Sequence, residues 1–100
     1  MAYKVIMTWD ITPEREQEYF EFVVREFIPG LQRMGLELTD AWATIYGAQP
    51  QIMVGAALPS LTDLQKIIKS TDWVSLNNQL QVFVHNYSQK IVHAQGGYQL

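Results

Sequence analysis

The 100-residue chain contains no cysteine. This absence excludes a disulfide scaffold, a thiolate metal site and a cysteine nucleophile. Charged residues are also sparse, at 17 %, whereas hydrophobic residues make up 48 % and aromatic residues 12 %. That composition is the opposite of the one that keeps a chain disordered. At this length it predicts one folded domain, which we place at residues 1–95, with a flexible tail at residues 96–100.

The sequence also lacks the patterns that are typical of membrane-spanning segments and of nucleic-acid-binding surfaces. No apolar run approaches the roughly 18 residues that a membrane-spanning helix needs, and the first residues lack the charged and apolar regions of a signal peptide. The formal net charge is -3 and the four lysines are scattered, so no basic stripe is available to neutralise phosphates. We therefore expect a cytoplasmic protein whose partners include neither nucleic acid nor a membrane.

The beginning of the chain predicts a strand and then a helix. Apolar and polar side chains alternate over residues 3–10, which is the period of a strand with one strongly apolar face. Thr12, Pro13 and Glu14 are the residue types of a helix start, with Thr12 as the N-cap.

This first helix is expected to be amphipathic and interrupted. Pro29 predicts a kink near residues 27–28 because it removes one backbone hydrogen bond, and Gly35 predicts the end of the helix. Phe22 is expected on the solvent side. The buried stripe is predicted to contain Phe20, Val23, Val24, Phe27, Leu31 and Met34.

The remaining pattern predicts two strands, two helices and a last strand. Residues 36–46 and 51–58 are β-rich runs around a short loop, and Ser60 begins a helix as its N-cap. A second helix is expected to begin at Ser70 or Thr71 and to end at His85, before a strand at residues 87–93. The order βαββααβ predicts an α+β, ferredoxin-like fold. Its four-stranded antiparallel sheet has the spatial order 4-1-3-2, with helices on one face.

The predicted strands are apolar on both faces. Ala41 and Ala43 lie on one face of the second strand and Trp42 on the other, and the third strand is apolar on both sides too. A monomer rarely leaves a contiguous apolar face in water, and most oligomers are two-fold homodimers. We therefore expect a homodimer through the helix-free sheet face. If the face of Ala41 and Ala43 is the one in the interface, Asp at either position breaks the dimer.

These features resemble the dimeric α+β-barrel superfamily, in particular its antibiotic-biosynthesis-monooxygenase-like and stress-responsive types. The resemblance covers residues 3–93 and rests on the element order, the two apolar sheet faces and the pattern Trp73-x-x-Leu76-x-x-x-Leu80 before the last strand. It implies ferredoxin-like protomers packed sheet to sheet into a joint barrel. The superfamily includes cofactor-free monooxygenases, haem-degrading oxygenases and isomerases, so the resemblance supports the fold more than any one function.

No cofactor is predicted. The haem-degrading members place an Asn on the first strand and a Trp and a His on the last helix, but residues 3–10 contain no Asn. His85 is expected about 120° around the predicted helix from Trp73, so the two do not face one pocket. Two separate histidines without cysteine also predict no metal site.

The candidate catalytic residues are Asp10, His85 and His93. Asp10 and His85 are expected at the same end of the sheet, where a His–carboxylate pair at the mouth of a pocket serves as a general base. The alternative for His85 is a favourable interaction with the C-terminal end of its helix. The alternatives for His93 on the last strand are the lining of a cavity and a strand end near solvent.

The aromatic residues predict a ligand pocket between the helices and the sheet, or simply core packing. A strip of small residues at Gly55 is expected to leave room beside them. The candidate ligand-binding residues are Trp9, Trp42, Tyr46, Gly55, Trp73 and Tyr87.

The predicted function is the binding of a small apolar or aromatic molecule, because the sequence offers no convincing buried base. One alternative is a cofactor-independent monooxygenase or isomerase acting on an aromatic or polyketide-like substrate. The other is a dimerising interaction module without a ligand.

Overall fold

The computed structural model describes residues 2–44 and 51–94. Its four strands, numbered in chain order, form one antiparallel sheet in the spatial order 2-3-1-4, which confirms the predicted spatial order and the ferredoxin-like α+β class. Tyr46 and the tail at residues 96–100 lie outside the described residues. The elements are β1 Ala2–Ile11, α1 Glu16–Phe22, a π-helical segment Val23–Phe27, α2 Ile28–Arg33, β2 Glu37–Ala43, β3 Ile52–Leu58, α3 Leu61–Ile68, α4 Thr71–Leu80 and β4 Val84–Ala94.

The first helix begins later than predicted. Thr12 is not its N-cap: its backbone N–H donates to the carbonyl of Phe83 at 3.0 Å, which extends the pairing of β1 with the chain before β4, and its hydroxyl lies 3.5 Å from Nδ1 of His85 on β4. The chain then turns through Glu14, whose φ is +72°. Helix α1 starts at Glu16 with Arg15 at the N-cap position, where no side chain caps the helix.

Pro29 disturbs the helix where the sequence predicts a kink. The π-helical segment ends at Phe27, and Pro29 lies in the first turn of α2. A π turn holds more residues than an α turn, so the side chains of Tyr19 and Phe27, which are eight residues apart, both face the core.

The same π turn changes which side chains of this helix are buried. Phe20 and Val24 are 55 % and 69 % exposed, against the prediction that both are in the core. Phe22 was expected in solvent but packs against Phe83, with ring centroids 5.5 Å apart.

Local signals at the other helix ends behave as predicted. Gly35 has φ +90° and its N–H donates to the carbonyl of Gln32 at 3.0 Å. The N–H of Leu36 donates to the carbonyl of Leu31 at 3.1 Å, which completes a Schellman motif. The hydroxyl of Ser60 caps α3 by accepting the N–H of Asp63 at 3.2 Å.

Helix α4 ends earlier than predicted. It is capped by Ser70 and stops at Leu80, and β4 begins at Val84, which pairs with Ile11. His85 therefore lies on a strand, and its predicted position at a helix C-terminus is wrong. The β-branched and aromatic residues before it, Val82 to Val84, suit a turn into a strand better than another helical turn.

The core lies between the sheet and the helices. Val5, Met7 and Trp9 of β1 are fully buried, so the intervening residues of β1 face the opposite, helix-free side. None of the helices within the described ranges is long and apolar enough to cross a membrane. The buried residues that cover β1 from the helices include Phe27, Leu31, Leu64, Trp73 and Leu80.

Candidate functional site

The helix-free face of the sheet combines apolar and charged side chains. The register pairs Trp42 with Met53, and Met53 with Thr8, so these three share one row across the strands. Trp42 is 57 % exposed there. A depression of about 410 Å³ lies beside this row. Its lining residues are Lys4, Ile6, Asp40, Met53, Lys90, Val92 and the candidate residue His93.

An ion pair spans three strands of this face. Nζ of Lys4 on β1 donates to Oδ2 of Asp40 on β2 at 2.7 Å, and the two side chains are only 13 % and 17 % exposed. The hydrogen bond from Lys4 is the largest cause that holds the pKa of Asp40 below its ordinary value, against the opposing effect of burial. A second hydrogen bond comes from the hydroxyl of Thr39 at 3.0 Å.

Gly55 on β3 makes room for this ion pair. A bulge between Leu38 and Asp40 shifts the register so that Asp40 lies opposite Gly55. A Cβ atom at residue 55 would lie 2.6 Å from Oδ2 of Asp40. The space that the small-residue strip was expected to leave for a ligand is therefore occupied by a carboxylate.

Asp10 and His85 come together at one end of the sheet. Nε2 of His85 lies 3.9 Å from Oδ2 of Asp10. Asp10 accepts hydrogen bonds from Nδ2 of Asn86 at 3.0 Å and from the backbone N–H of Gln51 at 2.9 Å. These bonds, first that from Asn86, hold the pKa of Asp10 below its ordinary value. The lowered pKa keeps Asp10 ionised and makes it a weak proton acceptor. Its two hydrogen bonds hold the starts of β3 and β4 against β1.

An aromatic cluster lies on the helix side of the same end. The indole N–H of Trp9 donates to the hydroxyl of Tyr19 at 3.0 Å, and the ring of Tyr87 stacks on Trp9 with centroids 6.1 Å apart. Burial raises the pKa of the Tyr19 hydroxyl, with the bond from Trp9 acting in the opposite direction. Burial also raises the pKa of Tyr87.

The hydroxyl of Tyr87 links this cluster to α4. It donates its one proton to Oδ1 of Asn77 at 2.5 Å, and Oε1 of Gln89 lies 2.8 Å away as an alternative acceptor. Asn77 is itself buried, and its amide donates to the carbonyl of Trp73 at 2.9 Å. Tyr87 is half-buried and Gln89 is exposed, so this group of polar atoms lies at the rim of the core.

The predicted site residues are divided between the two faces of the sheet. Trp9, Trp73 and Tyr87 lie on the helix side, whereas Trp42 and Gly55 lie on the helix-free side. Ala41 pairs with buried Val54, which places Ala41 and Ala43 on the helix side, away from the helix-free face.

His93 lies apart from the other two candidate catalytic residues. It stacks on Tyr3 with ring centroids 4.8 Å apart. Tyr3 and His93 pair near the end of the sheet opposite to Asp10. Within residues 2–44 and 51–94, no three His, Cys, Asp or Glu side chains are grouped to hold a metal ion.

Lys4 and Asp40 are the residues that sequence reasoning missed. The alternation in β1 places Lys4 on the helix-free side, so half of the pair is visible in the pattern. The bulge that aligns Asp40 with Gly55 has no comparable sequence signal.

No protein-family model matches the sequence, and no curated protein matches it. Solved structures do match. A NIPSNAP family protein from Agrobacterium tumefaciens has a TM-score of 0.71 and 19 % identity over 95 % of this chain and 94 % of that one. An ethyl tert-butyl ether d (ethd) family protein from Bacillus halodurans has a TM-score of 0.72 and 15 % identity over 95 % and 100 % of the two chains.

A Nitrosomonas europaea protein provisionally assigned as an antibiotic biosynthesis monooxygenase has a TM-score of 0.66 and 9 % identity over 93 % of this chain and 89 % of that one. At these identities the likeness concerns the fold. The chain shares its ferredoxin-like α+β fold with these proteins, which confirms the predicted resemblance for the fold alone.

Substitution of Asp10 tests whether the hydrogen bonds of its carboxylate stabilise the contact between the strands. Because the native hydrogen bonds lower its pKa, the stabilisation by the carboxylate is complete above the ordinary Asp value of about 3.9 and is lost as the pH falls through the lower native value. In urea denaturation, Asp10→Asn is expected to be less stable than wild type at neutral pH, with the difference shrinking in acid. The control Glu21→Gln, on an exposed helix position, is expected to stay near wild type. A deficit of Asp10→Asn that does not change with pH would contradict this role.

The Lys4–Asp40 pair is tested by a double-mutant cycle. Lys4→Met and Asp40→Leu each leave one charge largely buried without its partner, so each is expected to lower the free energy of unfolding by about 1–3 kcal/mol. The double variant leaves no charge behind and is expected to recover most of that loss. Additive losses in chemical denaturation would show that the two side chains are not coupled.

Proposed function

We propose that this chain forms a homodimer through the helix-free faces of two sheets, and that each copy binds a small apolar or aromatic molecule on the helix side, beside Tyr87. The main support for the dimer is the apolar character of the helix-free face. Ile6, Met53 and Val92 line its depression, and Trp42 is more than half exposed beside it. No helix within the described residues covers this face, and a second sheet is the simplest cover for it.

The rim of the aromatic cluster supports the ligand site. Ligand sites combine apolar walls with a few well-placed polar groups, and here the ring of Tyr87 stacks on Trp9 while its hydroxyl lies within hydrogen-bond distance of Gln89. A flat aromatic molecule with one hydroxyl would stack along these rings and exchange hydrogen bonds with Gln89 or Tyr87. Trp9 and Trp73 are fully packed, so they form the floor of such a site rather than its opening.

A cofactor-independent monooxygenase or isomerase is the second candidate, and the approach of His85 to Asp10 favours it. The similar Nitrosomonas europaea protein also carries a monooxygenase assignment. Two features favour binding instead. The carboxylate of Asp10 already accepts two hydrogen bonds, and His85 pairs with Asp10 on the helix-free side, whereas Tyr87 points to the helix side. A base and an aromatic substrate would thus lie on opposite faces of β4.

The dimer is tested by the mass in solution. Sedimentation equilibrium is expected to give twice the chain mass of 11.5 kDa for wild type. Met53→Asp puts a charge in the centre of the helix-free face, and it is expected to yield the single-chain mass. Val74→Asp, at an exposed apolar position on α4, is the matched control and is expected to remain dimeric. A wild type of single-chain mass, or equal behaviour of the two variants, would contradict the proposal.

The ligand site is tested with 2-naphthol in saturation-transfer NMR. Wild type is expected to transfer magnetisation to the probe. Tyr87→Phe is expected to weaken binding by roughly 2- to 10-fold, the effect of one hydrogen bond. Tyr3→Phe, at the far end of the sheet, is the control and is expected to bind as wild type does. Absence of transfer to wild type would leave a dimerising module without this ligand, and equal weakening by both variants would place the site elsewhere.

A further inference from the structure

The charges on the helix-free face are separated between its two edges. The register places Asp40, Gly55, Ile6 and Lys90 in one row across the four strands. The next row begins with Glu37 on β2. Since β2 and β4 are the outer strands, one edge of the face carries two carboxylates and the other carries Lys90.

Apart from Asp10, which lies beside His85 at one end of the sheet, the ion pair within the chain leaves one charge of each sign uncompensated on this face. Lys4 pairs with Asp40. Glu37 and Lys90 are both exposed, and among the described residues neither forms an ion pair within its own chain. Burial of a lone charge in an interface is costly, whereas a charge that meets its opposite is retained and gives the interface direction.

Only two symmetric ways of stacking the sheets keep their strands roughly aligned. A two-fold axis along the strands places β2 over the partner's β4, so each acidic edge meets the partner's Lys90. A two-fold axis across the strands places β2 over β2 and β4 over β4, so that carboxylates oppose carboxylates and lysines oppose lysines. Like charges across an interface are strongly unfavourable, and the first arrangement is therefore selected.

The distances allow the contact. Facing sheets lie about 10 Å apart, and the offset of two residues between the rows of Glu37 and Lys90 is about 7 Å along the strand. Both side chains are long enough to reach towards each other across that gap, and the rotation of about 30° between packed sheets leaves them near one edge.

We infer that Lys90 and the acidic edge formed by Glu37 and Asp40 set the orientation of the second copy, with two reciprocal Lys–carboxylate contacts related by an axis along the strands. This inference rests on the proposed homodimer and adds the arrangement of its partner. It makes Lys90 a residue that selects the orientation of the partner rather than one that adds to the apolar contact.

A charge swap tests the inference. Lys90→Glu and Glu37→Lys each place like charges at both reciprocal contacts, so each variant alone is expected to dimerise at least tenfold more weakly than wild type. When the two are mixed, both contacts again join opposite charges, and a mixed dimer is expected to form at near wild-type concentrations. Nitrogen-15 labelling of one variant lets native mass spectrometry distinguish the mixed dimer from the two homodimers. Lys69→Glu, at the end of α3, is the control reversal and is expected to leave the dimer unchanged.

The outcomes separate this inference from the proposed dimer. A dimeric wild type with an undiminished Lys90→Glu dimer would overturn the inference and leave the homodimer standing. Weak variants that do not recover on mixing would also overturn it, because the substitutions would then act on each chain separately. A monomeric wild type would overturn both.

Discussion

The sheet has two faces, and the helices cover only one of them. On the covered side, Val5, Met7 and Trp9 are removed from water together with the apolar side chains of the helical layer, and burial of apolar surface is the main favourable contribution to folding. The other side holds Ile6 and Met53 beside a largely buried ion pair. The proposed dimer and the orientation of the partner both depend on what covers this second face.

The Lys4–Asp40 pair makes that face more specific than an apolar patch. It occupies the space above Gly55, and it leaves the face neutral in its middle while Glu37 and Lys90 remain at opposite edges. Apolar side chains alone would tolerate several relative positions of two sheets, because apolar contacts have little directionality. Charges at the edges penalise the wrong positions, which is a use of electrostatics for specificity rather than for affinity.

Local signals predicted local structure well. Gly35 ends its helix because the left-handed conformation there suits glycine, and Ser60 caps a helix with its own hydroxyl. The predictions of local structure that were wrong concern positions where an interaction with a distant part of the chain outweighs the local preference. Thr12 has the right residue type for an N-cap, but its N–H bonds to Phe83 across the sheet. The exposure of Phe20 depends on a π turn downstream, which shifts the helix faces.

The candidate site was less predictable than the fold. Sequence reasoning grouped Trp9, Trp42 and Tyr87 by their aromatic character, yet the sheet separates Trp42 from the other two. The sequence shows that the side chains of each strand alternate between two faces. It does not show which set of side chains in β2 faces the helices, because that depends on the register of β2 with β3, and the bulge at Thr39 sets this register. The approach of His85 to Asp10 likewise depends on where β4 begins.

The central claim is that a second copy of the chain covers the helix-free face. An isotope-filtered NOESY spectrum of a mixture of labelled and unlabelled chains tests this claim most directly. We expect contacts between chains from the methyl groups of Ile6, Met53 and Val92, and none from the core methyl groups of Leu64 and Leu80. Contacts between chains that involve only the outer helix surfaces, or no such contacts at all, would contradict the account.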